Sequence, residues 1–398
     1  MSALRVSTPL DAVLGGLPQD ADLAVVRDGA ATLIGLHPSE VLRYEGHEAL
    51  DALDRLDGGW WAGVLSYDLG RAVERIPDLT EPDPYIPDLL LARFDARLRA
   101  VDGEAVIEGD GAARGELEQL LEQASPEPTT PALGPWRSSI DRADWERSVA
   151  RILLHLRDGD CYQVNLTRRL ESDTTCDPVA FFRALARDHP APHASLVRVG
   201  DVAVVSASPE CFLRLDGHTI VTRPIKGTSD SAHALRASEK DRAENVMIVD
   251  LARNDLGRVC EYGSIRVPSL FEVEQHPGLF HLVSTVEGTL RADVTTGDLI
   301  RATFPPASVT GCPKPRVLEI IETLEPVRRG VYCGAVGFID TDHDVFDLSV
   351  AIRTFTFVGG KTYFGVGGGI VADSDPGAEW EETELKARRL LAVASGEA

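Results

Sequence analysis

The chain has 398 residues, 43% hydrophobic and 26% charged, the composition of a globular protein with a large core. Its 63 acidic against 40 basic side chains leave a net charge of −23, which repels phosphate backbones and argues against nucleic-acid binding, although a local cationic pocket can still hold a small anion. No apolar run reaches the length of a membrane span, no leader peptide is visible, and Cys161, Cys176, Cys211, Cys260, Cys312 and Cys333 form no C-x-x-C pair; a cytoplasmic protein with reduced thiols and no cysteine-based zinc site is expected.

Residues 1–123 read as an N-terminal region, with a helix expected around Glu48–Leu56 and strands over Trp60–Tyr67 and Asp88–Phe94. Prolines and small polar residues across Ala124–Pro131 mark a surface connection, placed at 124–139, before a main region at 140–398. Asp141 can cap a helix whose Trp145, Val149, Ile152, Leu153 and Leu156 share one face, and Gly159 suits its exit. Tyr162, Val164 and Leu166 alternate with Gln163, Asn165 and Thr167, as in a half-buried strand. Phe212–Leu215 and Thr219–Thr222 flank Asp216-Gly217, a tight-turn pair, so Glu210 and Lys226 are expected at the same end of two adjacent strands. Irregular alternation of strands and helices with hairpin connections, and no internal repeat, indicates an α+β fold of large, mostly antiparallel sheets.

Several positions further along can carry chemistry. Ser238 can cap a helix on which Asp241, set for a capping box, and Glu244 share a face. Asp375 and Pro376 start another, along which Glu379, Glu382 and Lys386 share a face. Four carboxylates converging from two helices suit magnesium, which prefers oxygen ligands; taken singly, each pair is equally a solvated face. Lys226 is either a solvated charge or, desolvated beside a cation, a nucleophile. Gly365–Gly369 matches neither nucleotide-loop pattern, leaving close backbone packing or N–H groups approaching a ligand carboxylate. Thr310 lies near the start of a helix expected at Val317–Leu324, which is either plainly capped or an anion site. Arg353 is either a surface ion pair or a bidentate carboxylate clamp.

The segments Tyr162–Leu166, Ser206–Glu210, Pro224–Thr228, Lys240–Asn245, Arg253–Arg258, Phe304–Lys314, Arg329–Gly334 and Gly367–Lys386, in that order, resemble the chorismate-utilising enzymes. The likeness spans roughly residues 140–395, and more weakly Trp60–Pro77. It implies that the antiparallel sheets form a sandwich with helices packed outside. Members that add water carry a lysine where this chain has Gln163, and anthranilate-forming members usually carry alanine where it has Lys226. The resemblance therefore points to the branch that aminates chorismate at C4 to give 4-amino-4-deoxychorismate, on the route to 4-aminobenzoate and folate; the alternatives are amination at C2 with pyruvate loss, as in the anthranilate-forming members, and a non-catalytic chorismate-binding subunit. In that branch Lys226 would attack C2 and Glu210 would protonate the departing hydroxyl. Glu244 and Glu382 would hold Mg2+, with Asp241 and Glu379 acting through water. Gln163, Thr228, His281, Thr310, Tyr332, Arg353, Gly367, Gly368 and Lys386 would line the substrate site. Ammonia from a separate glutamine amidotransferase subunit is implied as the nitrogen source. The chain departs from the pattern in a short Thr228–Ser238 stretch and in Cys312, where alanine is common.

Overall fold

The computed structural model describes residues 5–7, 10–109, 111–122, 130–276 and 279–397. Residues 124–129 of the proline-rich connection lie outside them. Local chemistry places the main helices as expected. Asp141 caps the Arg142–Asp158 helix by accepting from the Asp144 N–H, and Gly159 ends it at φ 79°, a left-handed conformation that glycine adopts without strain. Trp145, Val149 and Ile152 on its inner face are buried. Asp375 caps Pro376–Ser395 with Pro376 in its first turn. Ser238 caps Glu239–Gly257 by accepting from the Asp241 N–H, but no reciprocal box forms: the Ser238 N–H donates to the Leu235 carbonyl, 3.3 Å away.

Among the described residues the strands build one sheet of 12 and one of 10, and every pairing is antiparallel. Their inner faces share a core in which Val26, Leu33 and Val204 of the first sheet meet Trp60, Leu90 and Phe338 of the second. The helices Gly111–Glu122, Pro178–Asp188 and Pro376–Ser395 contribute to the core on the outer face of the first sheet. Gly46–Asp54, Glu239–Gly257, Thr296–Thr303 and Lys314–Leu324 do so for the second. The result is the expected α+β sandwich with helices outside. The N-terminal strand Leu23–Asp28 pairs with His193–Val199 in one sheet, and Trp60–Leu65 pairs with Ala335–Asp340 in the other.

Three local readings need correction. The Gln163–Ser172 strand is not half-buried. Val164 and Leu166 pack on one face against Trp145, Val149 and Ile152, and Gln163 and Asn165 on the other face are buried too. In the hairpin Asp216 pairs with Thr219, so the turn is Gly217-His218, with Gly217 at φ 58°. Finally, Lys226 does not close a strand. Thr219–Arg223 and Ile225–Ser229 both pair with Leu279–Thr289, interrupted at Pro224, which has no N–H for the ladder. The register then shifts between Ile225 and Thr228, where Gly227 takes φ 88°. Such a bulge redirects a side chain, and the one redirected here is Lys226.

Candidate active site

Glu210 is 4% exposed. It follows the Val202–Ser208 strand, and its backbone is fixed by the Val350 N–H, which donates to its carbonyl at 3.0 Å, and by the Ser208 hydroxyl. The Ser308 hydroxyl and the Ile225 N–H lie close to its carboxyl group and favour the ionised form. Burial outweighs these contacts and the nearby Lys226 charge, pushing the carboxyl up to about 7. Burial also pulls the Lys226 ammonium below the ordinary lysine value; Glu244 and Glu210 oppose that shift, and Lys386 adds to it. The expected neighbourhood of Glu210 and Lys226 is therefore present, joined through the Ile225 backbone rather than across a simple hairpin. Ser308 was not foreseen as a partner. It lies in the Ala307–Val309 turn, whose placement beside Glu210 depends on chain packing that no local pattern encodes.

The glycine strand forms the floor. A Cβ on Gly369 would lie 3.2 Å from both the Lys226 Nζ and the Gln163 side-chain amide, so these two groups meet above bare backbone. The Gln163 side chain is buried, and neither its oxygen nor its nitrogen has a hydrogen-bond partner among the described residues. A Cβ on Gly368 would lie 3.3 Å from Glu379 Oε2, 3.9 Å from Lys386 Nζ and 4.0 Å from Glu382 Oε1. Lys386 donates to the Gly367 carbonyl at 3.0 Å and pairs with Glu382 at 2.7 Å. Gly365 leaves room for the Tyr332 ring, which a Cβ would meet at 2.2 Å.

The four acids share one electrostatic neighbourhood. Glu244 and Glu379 are both raised, mainly by burial, with Asp241 and Glu379 acting on Glu244 and Glu382 acting on Glu379. Glu382 is held low by Lys386. Ser374 donates to Glu379 Oε1 at 2.6 Å. Among the described residues these acids do not bring three oxygens within 4.8 Å of one another; lysines 226, 240 and 386 balance them instead. The donor set nevertheless fits a hard divalent cation, since it is all carboxylate oxygen and its mutual repulsion is of the kind a cation relieves.

Of the remaining expected residues, Tyr332 lines a separate cavity beside Arg168, Glu325 and Arg329 that does not include Lys226. Thr228 Oγ1 lies 2.9 Å from Nδ1 of the buried His281 on the neighbouring strand. Thr310 is fully buried and its hydroxyl donates to the Pro306 carbonyl at 3.0 Å. Burial lifts the Tyr332 phenol well above its ordinary value, so it stays protonated. Arg353 sits at φ 53° after the Val345–Val350 strand. Its NH1 lies 3.3 Å from the Nε2 of His189, whose imidazolium is pulled down to about 4, chiefly by burial. Among the described residues it makes no ion pair within 4.0 Å, which disfavours the surface-pair alternative and leaves a cation facing the Glu210 field.

The model of the chorismate binding enzyme family matches residues 23–392. Aminodeoxychorismate synthase component 1 of Klebsiella aerogenes is 42% identical over 343 residues, covering 83% of this chain and 76% of that protein. The Escherichia coli (strain K12) protein of the same name is 40% identical, covering 83% and 75%. Anthranilate synthase component 1 of Pseudomonas putida is 37% identical, covering 87% and 77%. The crystal structure of anthranilate synthase component I from Streptococcus pneumoniae superposes with a TM-score of 0.82 at 28% identity, covering 92% of both chains. With a matching family model over nearly its whole length and relatives of this closeness, the chain belongs to the chorismate binding enzymes.

Proposed function

We propose that the protein converts chorismate and ammonia to 4-amino-4-deoxychorismate and water. The observation that carries this reading is Lys226, a lysine held toward neutrality on a bulge, beside an acid that keeps its proton near neutral pH. Neutral Lys226 Nζ attacks C2; the electron pair moves through the diene to C4, and hydroxide leaves with the Glu210 proton as water. Ammonia then attacks C4, the diene electrons return, and the C2–N bond to Lys226 breaks, restoring the amine. Glu244 and Glu382, with Asp241 and Glu379 behind them, would hold magnesium. Bound there, it supplies positive charge to the ring carboxylate. Arg353, Lys386, Tyr332 and the N–H groups of Gly367 and Gly368 orient the carboxylates. Gln163, an amide rather than a base, does not activate water.

Ammonia would come from a separate glutamine amidotransferase subunit, and the product would feed 4-aminobenzoate and folate in the cytoplasm. The test is incubation with chorismate, magnesium and ammonium salt, with product identification by mass and fluorescence. Ammonia-dependent 4-amino-4-deoxychorismate is expected. Anthranilate with pyruvate would establish the second reading, which the anthranilate-forming relatives favour. Isochorismate formed without ammonia would overturn both.

A further inference from the structure

Behind Glu210, where the two sheets face each other, lies a second group of ligating side chains that the amination chemistry does not use. His193 opens a strand of the 12-stranded sheet; Cys211 and Asp347 lie on adjacent strands of the 10-stranded sheet. One ligand atom from each, an imidazole nitrogen, a sulfur and a carboxylate oxygen, all lie within 4.8 Å of one another. Cys211 and Asp347 are buried, and His193 Nδ1 stands 3.3 Å from Asp347 Oδ1. Arg214 NH1 binds the other carboxylate oxygen at 2.8 Å, while its NH2 binds Asp28 at 3.0 Å.

We propose that His193, Cys211 and Asp347 form a binding site for a borderline-soft divalent cation such as zinc. Sulfur, nitrogen and oxygen are the donor types zinc takes, and three protein ligands leave the fourth tetrahedral position to a water; metal–ligand distances of about 2.0–2.3 Å require the three atoms to draw in around the ion. Arg214 supplies the outer hydrogen bond that fixes a ligating carboxylate, and Asp28 offsets its charge. With the thiol ionised, two anionic ligands balance a dication. The donor set also separates this site from the all-carboxylate cluster beside Lys226, which lacks sulfur and suits magnesium. The thiol proton is released to solvent on binding.

The test is titration of the chelator-treated, full-length protein with cobalt(II). A near-ultraviolet thiolate-to-cobalt charge-transfer band should grow to saturation at one equivalent, vanish when zinc is added, and be lost in Cys211→Ser. His193→Ala should abolish tight saturation. Cys161→Ser and Cys312→Ser should keep the band, which shows that its loss is not a general consequence of removing a thiol. Absence of the band in the wild-type protein, or its persistence in Cys211→Ser, overturns the site. Neither readout depends on turnover, so the outcome is separable from the proposed amination.

Discussion

At the scale of single residues, burial accounts for the two properties the chemistry needs. Burial outweighs the Ser308, Lys226 and Ile225 contacts that favour the ionised form of Glu210, so it sits at about 7 against an ordinary 4.5. Because the step needs Glu210 protonated and Lys226 neutral, turnover in ammonia-saturated assays should decline above about pH 7 as Glu210 ionises, and fall at lower pH as Lys226 takes up its proton. An alkaline limb at about pH 7 that survives unchanged in Glu210→Asp, or its absence in the wild-type protein, would remove Glu210 from the acid role. The same shift has a stability consequence. The folded state keeps a proton that the unfolded state loses, so stability falls as pH rises from about 4.5 to about 7 and stays reduced above that. Glu210→Gln should therefore abolish turnover while raising stability above pH 7, by up to the order of 3 kcal/mol in denaturant titrations. Lys226→Ala should fold normally, lose product, and fail to form the covalent chorismate adduct that intact-mass analysis should detect in the wild-type protein without ammonia. These two residues were legible in the sequence because motif and spacing name them. The Gly227 bulge at Lys226, and Ser308 beside Glu210, were not, since both depend on packing between distant segments.

At the scale of elements, the glycine strand Lys361–Ile370 separates structural from functional constraint within a few residues. A Cβ on Gly367 would come within 2.3 Å of the Leu166 carbonyl, a backbone atom that cannot withdraw, so Gly367→Ala should destabilise the fold by roughly 1–3 kcal/mol or more. The atoms nearest a Cβ on Gly369 are the ends of the Gln163 and Lys226 side chains, which can shift. Gly369→Ala should melt near the wild-type temperature yet lose on the order of a hundredfold in kcat, because it displaces Lys226, the proposed nucleophile. Equal thermal losses in the two variants would contradict this division. The two acidic helices make a parallel case. Magnesium at a hundred times its Kd should stabilise the protein by about 2.7 kcal/mol, and Glu244→Gln should remove most of that thermal shift. These two helices were readable from Ser238 and Asp375, as the Arg142–Asp158 helix was from Asp141, because caps are local chemistry. The depth of the Gln163 strand was not, because alternation reports polarity and not which neighbours cover a face.

At the scale of the whole molecule, composition and motif order allow an N-terminal region followed by a main region, but strand pairing runs across that division. Which strand pairs with which is decided by contacts between residues far apart in the chain, such as Leu196 opposite Val25 and Gly337 opposite Gly63, and no local pattern records them. The same holds for His193, Cys211 and Asp347, whose spacing in sequence resembles no metal motif. The energetic consequence is cooperativity. Without residues 1–139, the strands His193–Val199 and Ala335–Asp340 would become bare sheet edges, and the inter-sheet core would lose Trp60, Leu90 and Phe94. Both strands are almost entirely buried and largely apolar, which is the character of an edge that aggregates. A fragment of residues 140–398 should therefore be insoluble. The intact chain should unfold in one calorimetric transition, with fluorescence from Trp60 and Trp61 in the first region and Trp380 in the second changing together. Two resolved transitions, or a soluble and cooperatively folded 140–398 fragment, would show that the sheets are held within each region rather than across them.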